Sequence, residues 1–177
     1  MATERVVRVA AIQWAPPSVP TLDALAASIH GPLAQAVRDG AQLVVFAPGI
    51  DLALAAFAAR KPFPGEGPEP AHAVPAPEVR LFAESLALGA DLCRRFDALG
   101  RALAKQYRVT LALGSVLVQV HGGPQRIAYL YGPQGDQLGS QSQTHRTRAE
   151  RELGLAQGAA LKPIATPAGR VGLVSGA

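Results

Sequence analysis

The single thiol of the chain, Cys93, lies beside Arg94 and Arg95 in a stretch with helical spacing. A cysteine attacks as its thiolate, which adjacent cations stabilise only if they face it, and neighbours at i and i+1 on a helix point apart. The spacing therefore favours a structural thiol. His30, His72 and His121 are scattered without paired carboxylates or thiols at ligand spacing, so neither a metal nor a cofactor is expected. Gly65-Glu66-Gly67 lacks the strand-to-helix setting of a phosphate-binding loop. The densest charged stretch, His145 to Glu152, interleaves Arg with Glu and reads as a solvated face.

The elements that must position such groups belong to one domain, residues 1–177, long enough to bury a hydrophobic core. Apolar residues make up 49% of the chain in runs too short to cross a bilayer, so no membrane partner is expected. A lone cysteine excludes an internal disulfide framework, and Met1-Ala2-Thr3-Glu4-Arg5 lacks the layout of a signal peptide, which points to the cytoplasm. The net charge of +4 is spread along the chain, and with 5% aromatics there is little to stack bases on. Nucleic acid is not an expected partner.

Val6 to Gln13 reads as a first strand. Thr21 offers an N-cap to a helix with Leu22, Leu25, Ile29, Leu33 and Val37 on one stripe and a stop at Gly40; Pro32 predicts a kink or break inside it. Ala41 to Phe46 is apolar throughout, as a strand covered on both faces should be. Leu52 to Ala59 is compatible with a short helix, and the proline-rich 61–77 segment reads as a long surface loop. A second helix near Asp91 carries Leu92, Phe96, Leu99, Leu103 and Tyr107 and leads into a strand from Thr110 to Val120. Beyond a turn at His121-Gly122-Gly123-Pro124, strands follow at Ile127 to Tyr131 and Gln137 to Gln143, then a hairpin around Pro167-Ala168-Gly169. Strand-helix-strand units giving way to antiparallel strands predict a layered α/β (α+β) domain.

Several separated patterns resemble one family, the carbon-nitrogen hydrolase (nitrilase/amidase) superfamily, and they occur in its order. They are Val7 to Gln13, Arg38-Asp39-Gly40-Ala41-Gln42 before Leu43 to Phe46, Leu113-Gly114-Ser115, Pro133-Gln134-Gly135, Thr144-His145, Glu150-Arg151-Glu152-Leu153 and Thr166 to Gly172. The likeness runs from about Arg5 to Gly176 and implies a four-layer αββα sandwich, incomplete at its C-terminal end, with an unpaired strand edge there. It further implies hydrolysis of nitriles, amides or carbamoyl groups by a Cys nucleophile, a Glu base and a Lys that meets the developing negative charge.

At the three addresses the resemblance assigns, the chain departs from the pattern. Pro48 stands where the Glu is expected, or Gly49 if one residue is inserted; Gln143 stands at the Lys position, and Gly176 at the Cys. Sliding by one residue recovers none of the three. Ser175 is the nearest substitute nucleophile, but a one-residue slip in a strand turns a side chain to the opposite face. Asp51 reads as a cap or surface residue rather than a displaced base. His145 matches a family position with a loop-orienting role, and Glu150 resembles the family's additional acidic residue, left as a polar relic. The expectation is a catalytically inactive member of the family, able to bind a small amide-like ligand and to pair with itself or a related subunit. Two alternatives stand beside it: an interaction protein using loop 61–77, and the product of an interrupted gene.

Overall fold

The computed structural model describes residues 6–13, 19–47, 53–55, 77–87 and 89–174. Pro48, Asp51, Ser175, Gly176 and nearly all of the proline-rich segment lie outside them.

The order of elements is β1 (Val9–Ile12), α1 (Leu22–Arg38), β2 (Leu43–Phe46), α2 (Pro77–Ala87), α3 (Gly89–Tyr107), β3 (Thr110–Val120), β4 (Gly123–Tyr131), β5 (Gln137–Ser142), α4 (Arg148–Glu152), β6 (Ile164–Thr166) and β7 (Gly169–Val171). Strands β1 to β5 form one sheet in chain order, parallel from β1 to β3 and antiparallel from β3 to β5; β6 and β7 make a separate hairpin. The mixed α/β architecture is the one expected.

The period-two rule divides the residues of β2 between two cores. Val44 and Phe46 join Leu25, Ile29 and Leu33 of α1 and Phe96 and Leu103 of α3 on one face of the sheet. Leu43 and Val45 turn to the other face, with Ala112, Leu130 and the hairpin residues Ile164 and Val171. In β1, by contrast, Val9 remains 54% exposed.

Helix α1 starts as its sequence dictates, with Thr21 Oγ1 accepting from the Ala24 backbone N–H at 3.1 Å. It does not break at Pro32: the helix runs uninterrupted from Leu22 to Arg38. An interior proline costs about 3 kcal/mol. Leu25, Ile29 and Leu33, fully buried on both sides of it, each contribute roughly 1.5–3 kcal/mol by leaving water, so packing prevails.

Two other expectations are corrected. Residue 77 closes no loop; Pro77 opens helix α2, a position where its missing N–H costs nothing. The turn at residues 121–124 shrinks to His121-Gly122, because Gly122 and Gly123 take φ of +94° and +121° and let β4 begin at Gly123. The charged stretch after His145 carries a short helix, α4, none of whose residues is buried, as a solvated face should be. Of the proposed helix over 52–59, residues 53–55 are helical and buried.

Candidate functional site

Strand β5 ends at Ser142, and the next residue is Gln143, 1% exposed. Its backbone is fixed from both sides: its N–H donates to Arg126 O at 2.9 Å, and its carbonyl accepts from Gly158 N–H at 2.8 Å. Gly158 has to be glycine, since a Cβ there would fall 2.5 Å from that of Ser142 and 2.7 Å from its backbone. The carboxamide nitrogen then donates twice, to His145 O at 2.7 Å and to Glu150 Oε2 at 2.9 Å. Its carbonyl oxygen, Oε1, is buried and has no hydrogen-bond partner among the described residues.

Glu150 is held by a sequence device of its own. Thr147 and Glu150 form a capping box for α4, in which Thr147 Oγ1 accepts from Glu150 N–H at 3.2 Å and Glu150 Oε2 accepts from Thr147 N–H at 2.8 Å. One carboxylate oxygen thus receives a backbone and a side-chain donor. Glu150 is therefore more than a leftover polar residue: it joins the helix start to Gln143. The Thr-x-x-Glu spacing of Thr147 to Glu150 is itself the signal for this arrangement, legible in the chain. His145 contributes to the network through its backbone carbonyl, while its exposed ring meets Thr144 Oγ1 through Nδ1, 3.0 Å away.

The loop leaving α4 is tied back onto the sheet. Ala156 N–H donates to Pro124 O at 2.7 Å, Arg146 donates to Leu155 O at 2.6 Å, and Gln141 Nε2 donates to Ala159 O at 3.0 Å. These bonds make the Gln143 to Gly158 stretch one fixed unit. Chemically it offers a neutral amide and a carboxylate; a fixed cation of the kind that meets an oxyanion is missing from position 143.

The remaining candidates lie elsewhere. Cys93 is half-buried on α3, its thiol 3.9 Å from Leu117 O, apart from the Gln143 network. His30 on α1 meets Tyr107 of α3 through Nδ1 and the phenol oxygen, 2.9 Å apart, which ties the two helices together. Among the described residues no group of three His, Cys, Asp or Glu comes together as a ligand set, and no helix is long and apolar enough to cross a membrane.

One cluster has no counterpart in the sequence reading. Arg101 Nε donates to Asp97 Oδ2 at 2.7 Å on α3, and this bond raises the arginine pKa. Under that pair lies Tyr131 of β4, fully buried, its hydroxyl outside hydrogen-bonding geometry with any of the described residues. Burial, then the Asp97 charge, pushes its phenol far above the ordinary tyrosine value. Burial raises Tyr129 as well. Gly100 permits the approach, because a side chain there would collide with the Tyr131 ring. Two surface depressions complete the picture: a groove of about 320 Å³ between α1 and α3, lined by Leu22, Ala26, Ala98 and Leu99 with Asp23 and Arg95 at its rim, and one of about 450 Å³ lined by Lys105, Arg108, Pro133 and Gln134. Neither includes Gln143 or Glu150.

Known structures share this arrangement of strands and helices. A carbon-nitrogen hydrolase from Helicobacter pylori G27 superposes with a TM-score of 0.67 at 18% identity, over 95% of this chain and 50% of that one. An amidase from Nesterenkonia sp. gives 0.65 at 18% identity over 95% and 54%, and Saccharomyces cerevisiae Nit3, a member of branch 10 of the nitrilase superfamily, gives 0.59 at 15% over 95% and 54%. The chain thus spans about half the length of these structures. No curated protein matches its sequence. The carbon-nitrogen hydrolase family model matches residues 8–175, from the residue before β1 to just past β7, with the strands, the two sheet-covering helices and the Gln143 loop all inside the match; the chain belongs to that family.

Proposed function

We propose that this chain is a catalytically inactive carbon-nitrogen hydrolase that retains the ability to bind a small carboxamide. The observation that carries the reading is Gln143, buried and hydrogen-bonded to Glu150 where the family resemblance asks for a lysine. An amide supports a hydrogen bond but brings no charge to a tetrahedral oxyanion, and electrostatic stabilisation of that oxyanion is commonly the largest catalytic contribution. Pro48 and Gly176, at the other two addresses, supply neither a proton acceptor nor a thiolate.

The test is hydrolysis of a panel of amides, nitriles and carbamoyl amino acids by the purified protein, followed by ammonia release. The expected result is no release above the uncatalysed rate. Turnover that disappears in Ser175→Ala or Asp51→Asn would overturn the proposal, since it would reveal a nucleophile or base outside the three addresses.

A further inference from the structure

The end of α3 and the turn between β4 and β5 enclose the depression of about 450 Å³ lined by Lys105, Arg108, Pro133 and Gln134. Both walls are fixed. On the helix side Leu103, Ala104 and Val109 are buried, and the N–H groups of Arg108 and Val109 donate to Lys105 O and Ala104 O at 3.3 and 3.1 Å. On the other side Gly132 N–H donates to Asp136 O at 2.8 Å and Gly135 N–H to Gly132 O at 2.9 Å, while Gly135 lies so near the helix that a Cβ would come within 3.1 Å of Arg101 O. Arg108 takes φ of +51°, the one positive φ outside glycine among the described residues. The residue that follows a helix in this conformation is ordinarily glycine or asparagine, because an L side chain is crowded there. An arginine held at such a position calls for a reason in what its side chain does.

We infer that this depression binds a phosphate dianion, free or as a small monoester, through Lys105, Arg108 and Gln134. Neither cation has an ion-pair partner among the described residues, and no carboxylate lines the cavity. Arg101, one turn earlier on α3, is taken by Asp97 at 2.7 Å, and the Asp136 carboxylate lies against Gly132 of its own turn. The helix macrodipole alone would account for Lys105 in the last turn, but not for Arg108 beyond it at a crowded φ. Two full positive charges outweigh the roughly half unit of negative charge at the helix end, so the cavity attracts anions. The three side chains suit one ligand: the ammonium is a point charge, the guanidinium offers parallel N–H donors, and the carboxamide adds a neutral donor. A carboxylate brings a single charge and leaves one cation uncompensated. The volume falls in the range of small-molecule sites, which leaves room for an organic group with the Pro133 ring as its apolar wall. Gln143 and Glu150 take no part, so this inference and the functional reading above stand or fall separately.

The experiment titrates the 15N-labelled full chain with inorganic phosphate, glycerol 1-phosphate and acetate at constant ionic strength, with the backbone amides of Arg108 and Gln134 as local NMR reporters. Both phosphates are expected to shift these signals saturably and to bind at least about tenfold more tightly than acetate. Whichever phosphate binds more tightly identifies the source, and either order supports the site. Arg108→Gly separates binding from folding, since it removes a cation and relieves the positive φ together. Its phosphate affinity is expected to fall at least about tenfold with a urea midpoint no lower than that of wild type. Lys105→Gln, at an exposed position of α3, should weaken phosphate binding in the same direction. Absence of saturable shifts at the two amides in the wild-type chain overturns the inference, as does equal affinity for acetate and phosphate. Undiminished phosphate affinity in either folded variant overturns it as well.

Discussion

Gln143 Nε2 stands 2.9 Å from Glu150 Oε2, and the Thr147 backbone N–H reaches the same oxygen at 2.8 Å. A single carboxylate oxygen therefore couples the end of β5 to the start of α4. Removing the amide in Gln143→Met takes a donor from Glu150 and another from His145 O. A destabilisation of about 1–3 kcal/mol is expected, read as a lower midpoint in urea unfolding at unchanged slope. An unchanged midpoint would mean that this bond contributes nothing to the fold.

The capping box makes a second, separable contribution. Thr147→Ala removes the Oγ1 acceptor of Glu150 N–H and is expected to cost about 1 kcal/mol. Because both residues act on Glu150, the double variant Gln143→Met/Thr147→Ala should fall short of the sum of the single effects. Strict additivity in a double-mutant cycle would show that the two bonds are independent.

Gly100 is where α3 crosses Tyr131. An alanine would ordinarily favour a helix by about 1 kcal/mol over glycine. At this position its methyl group would overlap the Tyr131 ring, and overpacking of a core costs about 1–3 kcal/mol. Gly100→Ala is therefore expected to lower the unfolding midpoint. A rise would show that the ring has room to move.

Tyr131 gives the fold an alkaline limit. Its pKa is raised by burial and by Asp97, so the folded state keeps a proton that the unfolded chain releases above about pH 10. Its contribution is present below that pH and is lost as the pH climbs further, toward the folded-state value. In Tyr131→Phe the decline in stability above pH 10 should become shallower, with Tyr129 accounting for what remains. Equal alkaline slopes in urea titrations of the two proteins would contradict this.

Much of the architecture was legible because local signals and tertiary packing agree. Thr21 caps α1, the Leu25-Ile29-Leu33 stripe is its buried face, and Thr110 to Val120 is a strand to the residue. At Pro32 the expected kink or break does not become a break, because the local rule met a stronger burial term. Helix α2 escaped notice although Val79, Phe82 and Leu86 hold helical spacing, since the prolines just before it dominate the segment. The link from Gln143 to Glu150 was half readable: the family resemblance supplied the two positions, whereas the capping box at Thr147 emerged only with the fold, and no periodicity tells which atom of an amide faces a carboxylate. The Asp97, Arg101 and Tyr131 cluster was not legible, because it depends on how closely α3 approaches β4 at Gly100. In the same way, Gly114 looked like part of a family motif, whereas physically it is a positive-φ residue at a bulge in β3 between Ala112 and Ser115.

The proposed inactivity rests on a neutral side chain at position 143 and on Pro48 and Gly176, which supply neither a proton acceptor nor a thiolate. Ammonia release from propionamide by the purified wild-type chain tests it most directly. The expected rate equals that of buffer alone; a rate proportional to protein concentration and abolished by Ser175→Ala would contradict the account.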